Sequence, residues 1–178
     1  MNTGQMLTVL FALAILSFVS LSINTLIIGQ TTTLLETQAS LNAISIAQSM
    51  IDEIMTKSYD AFTAGGTRIW NASDFSSSPL GPSSTENSNV PRPDITTPFR
   101  SVRYYNDADD YNGYSRIVNT PLMGQFTVRD TVYYVLESNP DQKQTSQTFF
   151  KKIVVTVTHP NMPYPLKISD VVVYRRYF

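Results

Sequence analysis

The densest group of potential oxygen ligands in this chain is NDADDYNGY, Asn106 to Tyr114. Asp107, Asp109, Asp110 and Asn112 have the oxygen chemistry that suits calcium, a hard cation. The spacing is not that of an EF-hand. Counted from Asp107, Tyr111 takes the fifth ligand position and Val118 the twelfth, where that loop has Glu. The competing reading is an Asx-turn loop in which Gly113 supplies a positive φ. Nucleophilic and thiolate chemistry has little to draw on. The chain has no Cys and one His, which excludes disulfides, thiolate metal sites and a multi-histidine centre. His159 precedes Pro160 and reads as a turn residue. With no G-x-S-x-G and no glycine-rich phosphate loop, no catalytic residue is assigned and the chain is expected not to be an enzyme. Asn71-Ala72-Ser73 fits a glycosylation acceptor, a motif common by chance. Ten Tyr and nine Phe are expected to serve core and interface packing.

The elements that would position these groups begin with an unusual N-terminus. The first charged side chain is Glu36 and the next Asp52. Met6 to Ile28 reads MLTVLFALAILSFVSLSINTLII, long enough to cross a bilayer. No basic n-region or clear cleavage site marks a signal peptide, and no basic cluster closes the stretch as a single-pass anchor usually would. The apolar pattern then narrows. Leu34, Leu41, Ile44, Ala47, Ile51 and Ile54 recur at helical spacing, with Ala39, Ala43, Ile46 and Met50 widening the stripe. We read one helix from about residue 3 to residue 62, roughly 90 Å long at 1.5 Å per residue, stopped by Gly65-Gly66. Residues 1–33 form its half apolar all round, to be buried in lipid or in protein, and residues 34–62 its amphipathic half. Leu34, Leu41, Ile44 and Ile51 are expected to dock the second half on a sheet. Gly29 to Thr33 are poor helix formers. They either unwind to let the rod lengthen or bond their hydroxyls back to the helix.

Residues 63–178 read as a β-rich head. A Ser/Pro-rich loop covers 71–100, preceded by one possible short strand at Thr67 to Trp70. Strands are expected at Ser101 to Tyr105, Gln125 to Glu137, Thr148 to Thr158 and Leu166 to Tyr174, the last two as a hairpin across HPNMPYP. The fold class is therefore α+β, a long N-terminal helix packed on a C-terminal antiparallel sheet. Net charge is −1, which gives no electrostatic reason to expect a nucleic-acid partner.

This layout resembles that of type IV pilins and type II secretion pseudopilins. AISIAQSMIDEIMTKSYDAF (Ala43 to Phe62) is similar to their helix segment, and KKIVVTVTHPNMPYPLKISDVVVYRR (Lys151 to Arg176) to their terminal hairpin. Two features depart from the family. Its usual Glu at the fifth mature position is Gln5 here, if Met1 is the mature start, and the basic-Gly processing signal is missing. The resemblance implies a subunit held in the cytoplasmic membrane before assembly, then drawn by a pilus or secretion machine into an extracellular homopolymer. The core of such a filament is a bundle of N-terminal helices. Its interface would be built from Gln5, Leu7, Leu10, Phe11, Leu13, Ile15, Leu16, Phe18, Val19, Leu21, Ile23, Leu26 and Ile27. Gln5 could accept a hydrogen bond from a neighbour's terminal amine without cancelling its charge, so weaker registration is expected there. The alternatives are a low-copy minor pilin or pseudopilin and a single-pass, membrane-anchored binding domain.

Overall fold

The computed structural model describes residues 2–175. Met1, the question of the mature terminus it carries, and Arg176, the end of the terminal hairpin segment, lie outside them. The chain forms two compact units, Met1–Gln38 and Ala39–Phe178.

Helix α1 spans Thr3–Met55. Its residues to Gln38 make the first unit, in which no described residue is buried. Helix runs without a break through Gly29 to Thr33. The Thr31, Thr32 and Thr33 hydroxyls donate to the carbonyls of Ile27, Ile28 and Gly29 at 2.9, 3.0 and 3.0 Å. The back-bonded alternative is thus the one present, and the stretch is not unwound. The helix ends at Met55, earlier than the expected residue 62. Ser58 leaves it to form a bridge with Asp107, and Asp60 caps a separate short helix α2, Ala61–Ala64, by a reciprocal capping box with Thr63.

The second unit is α+β. Strands β1 (Ser115–Thr120), β2 (Gly124–Leu136), β3 (Asn139–Gln144), β4 (Phe150–Thr158) and β5 (Leu166–Val173) form an antiparallel sheet in the order β1-β2-β4-β5, with β3 paired to β2. The expected hairpin is β4–β5, with Ile153 opposite Asp170 and Val155 opposite Ile168. Alternation decides the faces. Phe126, Val128, Val132 and Tyr134 of β2 and Ile153, Val155 and Val157 of β4 point inward and are buried. From Ala39 onward α1 covers this face, burying Ala39, Ala43, Ala47, Met50, Ile51 and Ile54 in the same core.

That face differs from the expected one. Ile51 is buried, but Leu34, Leu41 and Ile44 are 57, 63 and 45% exposed. Leu34 belongs to the first unit and is exposed there. At 100° per residue Leu41 lies about 160° round the helix from Ala43, and Ile44 about 100°. The sheet meets the row of alanines, whose small side chains permit close approach, and the larger leucines are left outside.

Five further elements differ from expectation. Ser101 to Tyr105 is not a strand but the short helix α4, Ser101–Tyr104. Thr67 to Trp70 has no regular structure. Strand β1 went unforeseen. It joins β2 through a turn ending at Gly124, whose φ of 79° is glycine territory. Strand β3 is polar and exposed; beside its backbone pairing with β2, Lys143 lies over the Tyr133 ring of β2 and Asp141 pairs with Lys152 of β4. Within the long loop, Ser83 and Glu86 build a capping box that starts helix α3, Ser84–Asn89.

Candidate assembly surface and buried ionic clusters

The first unit presents a surface rather than a pocket. Each apolar residue expected at the filament interface stands exposed: Leu7, Leu10, Phe11, Leu13, Ile15, Leu16, Phe18, Val19, Leu21, Ile23, Leu26 and Ile27, between 46 and 73%. Four of the hydroxyls among them are turned back on the helix itself. Thr8 donates to Gln5 O at 2.9 Å, Ser17 to Leu13 O at 2.9 Å, Ser22 to Phe18 O at 2.9 Å and Thr25 to Leu21 O at 2.8 Å. A helix whose hydroxyls are spent this way carries few polar demands into an apolar environment. Gln5 lies at the start of the helix, where its side-chain oxygen accepts from the Asn2 amide at 3.4 Å. The segment is long and apolar enough to cross a membrane.

The second unit holds its charges inside. Glu53, in the last turn of α1, is fastened from three elements. Its Oε2 accepts from Arg116 Nη1 of β1 at 2.6 Å. Its Oε1 accepts from Ser101 Oγ of α4 at 2.9 Å and from Tyr111 OH at 2.8 Å. Arg116 also lies over the Phe99 ring, 4.6 Å from its centre. Asp130 points inward from the middle of β2, beside this group. Neither of its carboxylate oxygens, nor Arg116 Nε, has a hydrogen-bond partner. Burial pushes the Asp130 carboxyl well above the usual range; Arg116 pulls it back and Glu53 adds to the rise.

A second cluster surrounds Lys151 of β4, which is fully buried. Its Nζ donates to Tyr59 O and Asp109 Oδ1, each at 2.7 Å, and to Asp60 Oδ2 at 3.2 Å. The rings of Tyr59 and Tyr134 lie 4.4 and 5.3 Å from it. Asp60 is held on its other side by Phe62 N, Ser76 N and Ser76 Oγ.

The carboxylates proposed from sequence as calcium ligands are engaged in this architecture. Asp107 Oδ1 accepts from the amides of Asp109 and Asp110 at 3.0 and 3.3 Å, an Asx-type cap on the 3-10 turn Asp109–Tyr111. Asp110 Oδ2 accepts from the amides of Asn106 and Asp107 at 2.9 and 3.2 Å. Asn112 is turned elsewhere, donating to Leu80 O and accepting from Val132 N. Gly113 has the expected positive φ, 75°. Among the described residues no group of three or more His, Cys, Asp or Glu side chains is disposed to hold a metal ion. The loop has the Asx-turn geometry of the competing reading. Burial pushes the Asp107 carboxyl up to about 9, helped by its hydrogen bond to Asp109. Burial likewise lifts Asp110 to about 7, against the amides that hold its charged form.

Asp94 runs the other way. Burial raises it, but hydrogen bonds from the Thr96 hydroxyl and amide, the Arg100 amide and Tyr114 outweigh that and hold it low. His159 is in a turn, as expected, yet it is buried. It stacks on Phe126 at 4.2 Å, its Nδ1 accepts from Asn161 N at 3.1 Å, and its Nε2 faces Met123 O at 2.8 Å.

Glu53, Asp60, Arg116, Asp130 and Lys151 were not singled out from sequence as interacting residues. A signal existed for two of them. Asp130 and Lys151 sit two residues from Val132 and Ile153, in step with the inward-facing alternation of β2 and β4. A charge in that register has to find a partner or lose its charge. No known protein family matches the chain, and neither a curated protein nor a solved structure matches it.

Proposed function

We propose that this chain is a structural, non-enzymatic subunit of an extracellular helical filament of the pilin type, polymerising with copies of itself through its N-terminal helix. One observation supports this most. A continuous helix displays large apolar side chains on all sides up to Leu35, with none of its residues buried to that point. Water-exposed apolar surface on this scale is a binding surface awaiting lipid or protein. A helix that is apolar all round can exchange lipid for neighbouring helices at little hydrophobic cost. In water, each large apolar side chain buried in a helical bundle contributes roughly 1.5–3 kcal/mol.

The absence of charge before Glu36 suits such a bundle, where an unpaired charge is costly. Before assembly the same helix holds the subunit in the cytoplasmic membrane, from which an assembly machine extracts it. The head, which buries its own charges and core, then faces the exterior of the cell.

The test is electron microscopy of detergent-free material sheared from producing cells, with mass spectrometry of the same fraction. Filaments composed mainly of this chain are the expected result. Its presence only as a trace component would favour a low-copy initiating subunit. Retention in membranes, with no filament containing it, would favour an anchored binding domain.

A further inference from the structure

We propose that Lys151 and Asp109 are the two halves of an intramolecular isopeptide cross-link, with Asp107 as the proton-transferring group that promotes its formation. The proposal concerns the head alone and stands whether or not the chain forms filaments.

Three requirements of such a bond meet here. The first is a nucleophile and a carbonyl carbon held together away from bulk water. Lys151 Nζ is 2.7 Å from Asp109 Oδ1, with relative side-chain exposures of 0 and 4%. Groups fixed in this way react with effective molarities of roughly 10⁵–10⁸ M.

The second is a carboxyl group free to act as an electrophile. Of the two aspartates at the nitrogen, Asp60 is pinned in place by Phe62 N, Ser76 N and Ser76 Oγ. Asp109 accepts from Lys151, and its own amide donates to the carboxyl group of Asp107 at 3.0 Å. A hydrogen bond from a protonated neighbouring carboxyl group makes a carboxyl carbon more electrophilic, and Asp109 has such a neighbour whereas Asp60 is surrounded by amide and hydroxyl donors.

The third is a proton donor and acceptor at the reacting centre. Asp107 is buried beside Asp109, whose amide donates to its Oδ1 at 3.0 Å, and burial raises its carboxyl, which favours the protonated form. The rings of Tyr59 and Tyr134 complete a low-dielectric wall about the nitrogen.

The reaction balances without a co-reactant. Lys151 passes a proton to the Asp109 carboxylate, giving a free amine beside a carboxylic acid. The amine attacks Cγ of Asp109, and Asp107 relays the nitrogen's second proton to the departing oxygen. The Cγ–O bond breaks, the Nζ–Cγ bond remains, and one water leaves. An ammonium and a carboxylate become an amide and water, which also removes a buried ion pair whose desolvation is costly. A cleft lined by Ser83, Glu86, Asp107 and Asp109 gives the water an exit.

The experiment is mass spectrometry of the folded full chain in detergent, denatured and digested after incubation at neutral pH. The expected product is a branched peptide joining the Asp109 segment to the Lys151 segment, lighter by one water than its parts. Lys151→Arg and Asp109→Ala should give linear peptides only. Asp107→Asn, folded by near-ultraviolet circular dichroism, should link about 100-fold more slowly or not at all. Linear peptides alone from the folded natural chain would overturn the proposal and leave an ion pair. A branch at Asp60 would overturn the choice of Asp109, and undiminished linking in Asp107→Asn would overturn the role of Asp107.

Discussion

The two units of this molecule invert the usual relation between polarity and burial. Residues up to Gln38 include a single charged side chain, Glu36, and yet they expose Leu, Ile, Val and Phe throughout. The head from Ala39 onward contains the chain's remaining charges and places Asp60, Asp94, Asp107, Asp109, Asp110, Arg116, Asp130 and Lys151 inside. Hydropathy alone therefore does not say what is interior. The head is closed because an amphipathic stretch of helix and the inward face of a sheet can bury one another, carrying charges that are, but for Asp130, ion-paired or hydrogen-bonded. The N-terminal helix has no second face to turn to water, so nothing within its own unit can cover it. In our reading that difference is functional. The head is finished as a folding unit, and the helix is finished only by other molecules.

Five substitutions would break or sharpen this contrast. The largest effect is expected from Leu16→Asp, which places a charge at the centre of the exposed apolar stretch. Insertion there costs about 2.5–3.5 kcal/mol at a helix centre. Filaments should vanish from sheared fractions while the tyrosine circular dichroism of the head is unchanged. Normal filaments from this variant would refute the bundle-core reading.

Arg116→Met attacks the head instead. It strands Glu53 without its guanidinium beside an already unpartnered Asp130. A loss of roughly 3–5 kcal/mol is expected in urea unfolding of the detergent-solubilised chain. Ala43→Leu tests the close approach of α1 to the sheet and should cost about 1–3 kcal/mol by overpacking. A neutral result there would mean the alanine row is not the tight face.

Asp130→Asn should stabilise the head, and the gain should depend on pH. A carboxyl held above its ordinary value binds its proton more tightly in the folded state. Stability is then greatest below the unfolded value and falls as pH rises through it toward the folded value. Asp107, near 9, and Asp110, near 7, act in the same sense. The natural head should lose stability from about pH 4 upward. The variant should match it near pH 4 and exceed it increasingly above that, by about 1.4 kcal/mol for each pH unit over which the folded natural head keeps the Asp130 proton. Parallel melting curves for the two proteins across that range would show that Asp130 does not keep its proton. The smallest change is expected from Leu41→Ala. Exposed on the far side of α1, it should move head stability by less than about 0.5 kcal/mol, whereas a large loss would show that Leu41 does face the sheet.

Much of the architecture was legible in the residues themselves. An uncharged, helix-forming run longer than a bilayer needs leads directly into helical periodicity, and β4 and β5 alternate cleanly around a turn-rich connection. The α+β class followed from these. The less legible parts depended on interactions that carry little local pattern. Strand β3 is polar and exists because β2 extends far enough to pair with it. Ser101 to Tyr104 has strand-like composition but folds as a helix whose Ser101 reaches Glu53, far away in sequence. The acidic loop advertised oxygen ligands, yet its carboxylates are committed to backbone amides and to Lys151.

The sequence by itself determined which segment is helical, which segments alternate as strands, and that the first unit has no polar face. Those are properties of residue type and spacing within a few positions along the chain. Only the tertiary structure decided that α1 meets the sheet through Ala39, Ala43 and Ala47 rather than Leu41 and Ile44. It also decided that Glu53 finds Arg116, and that Lys151 lies between Asp60 and Asp109. The amphipathic half of the helix is apolar over too wide an arc to specify one face, and ion pairs between residues tens of positions apart are set by how the sheet brings their backbones together.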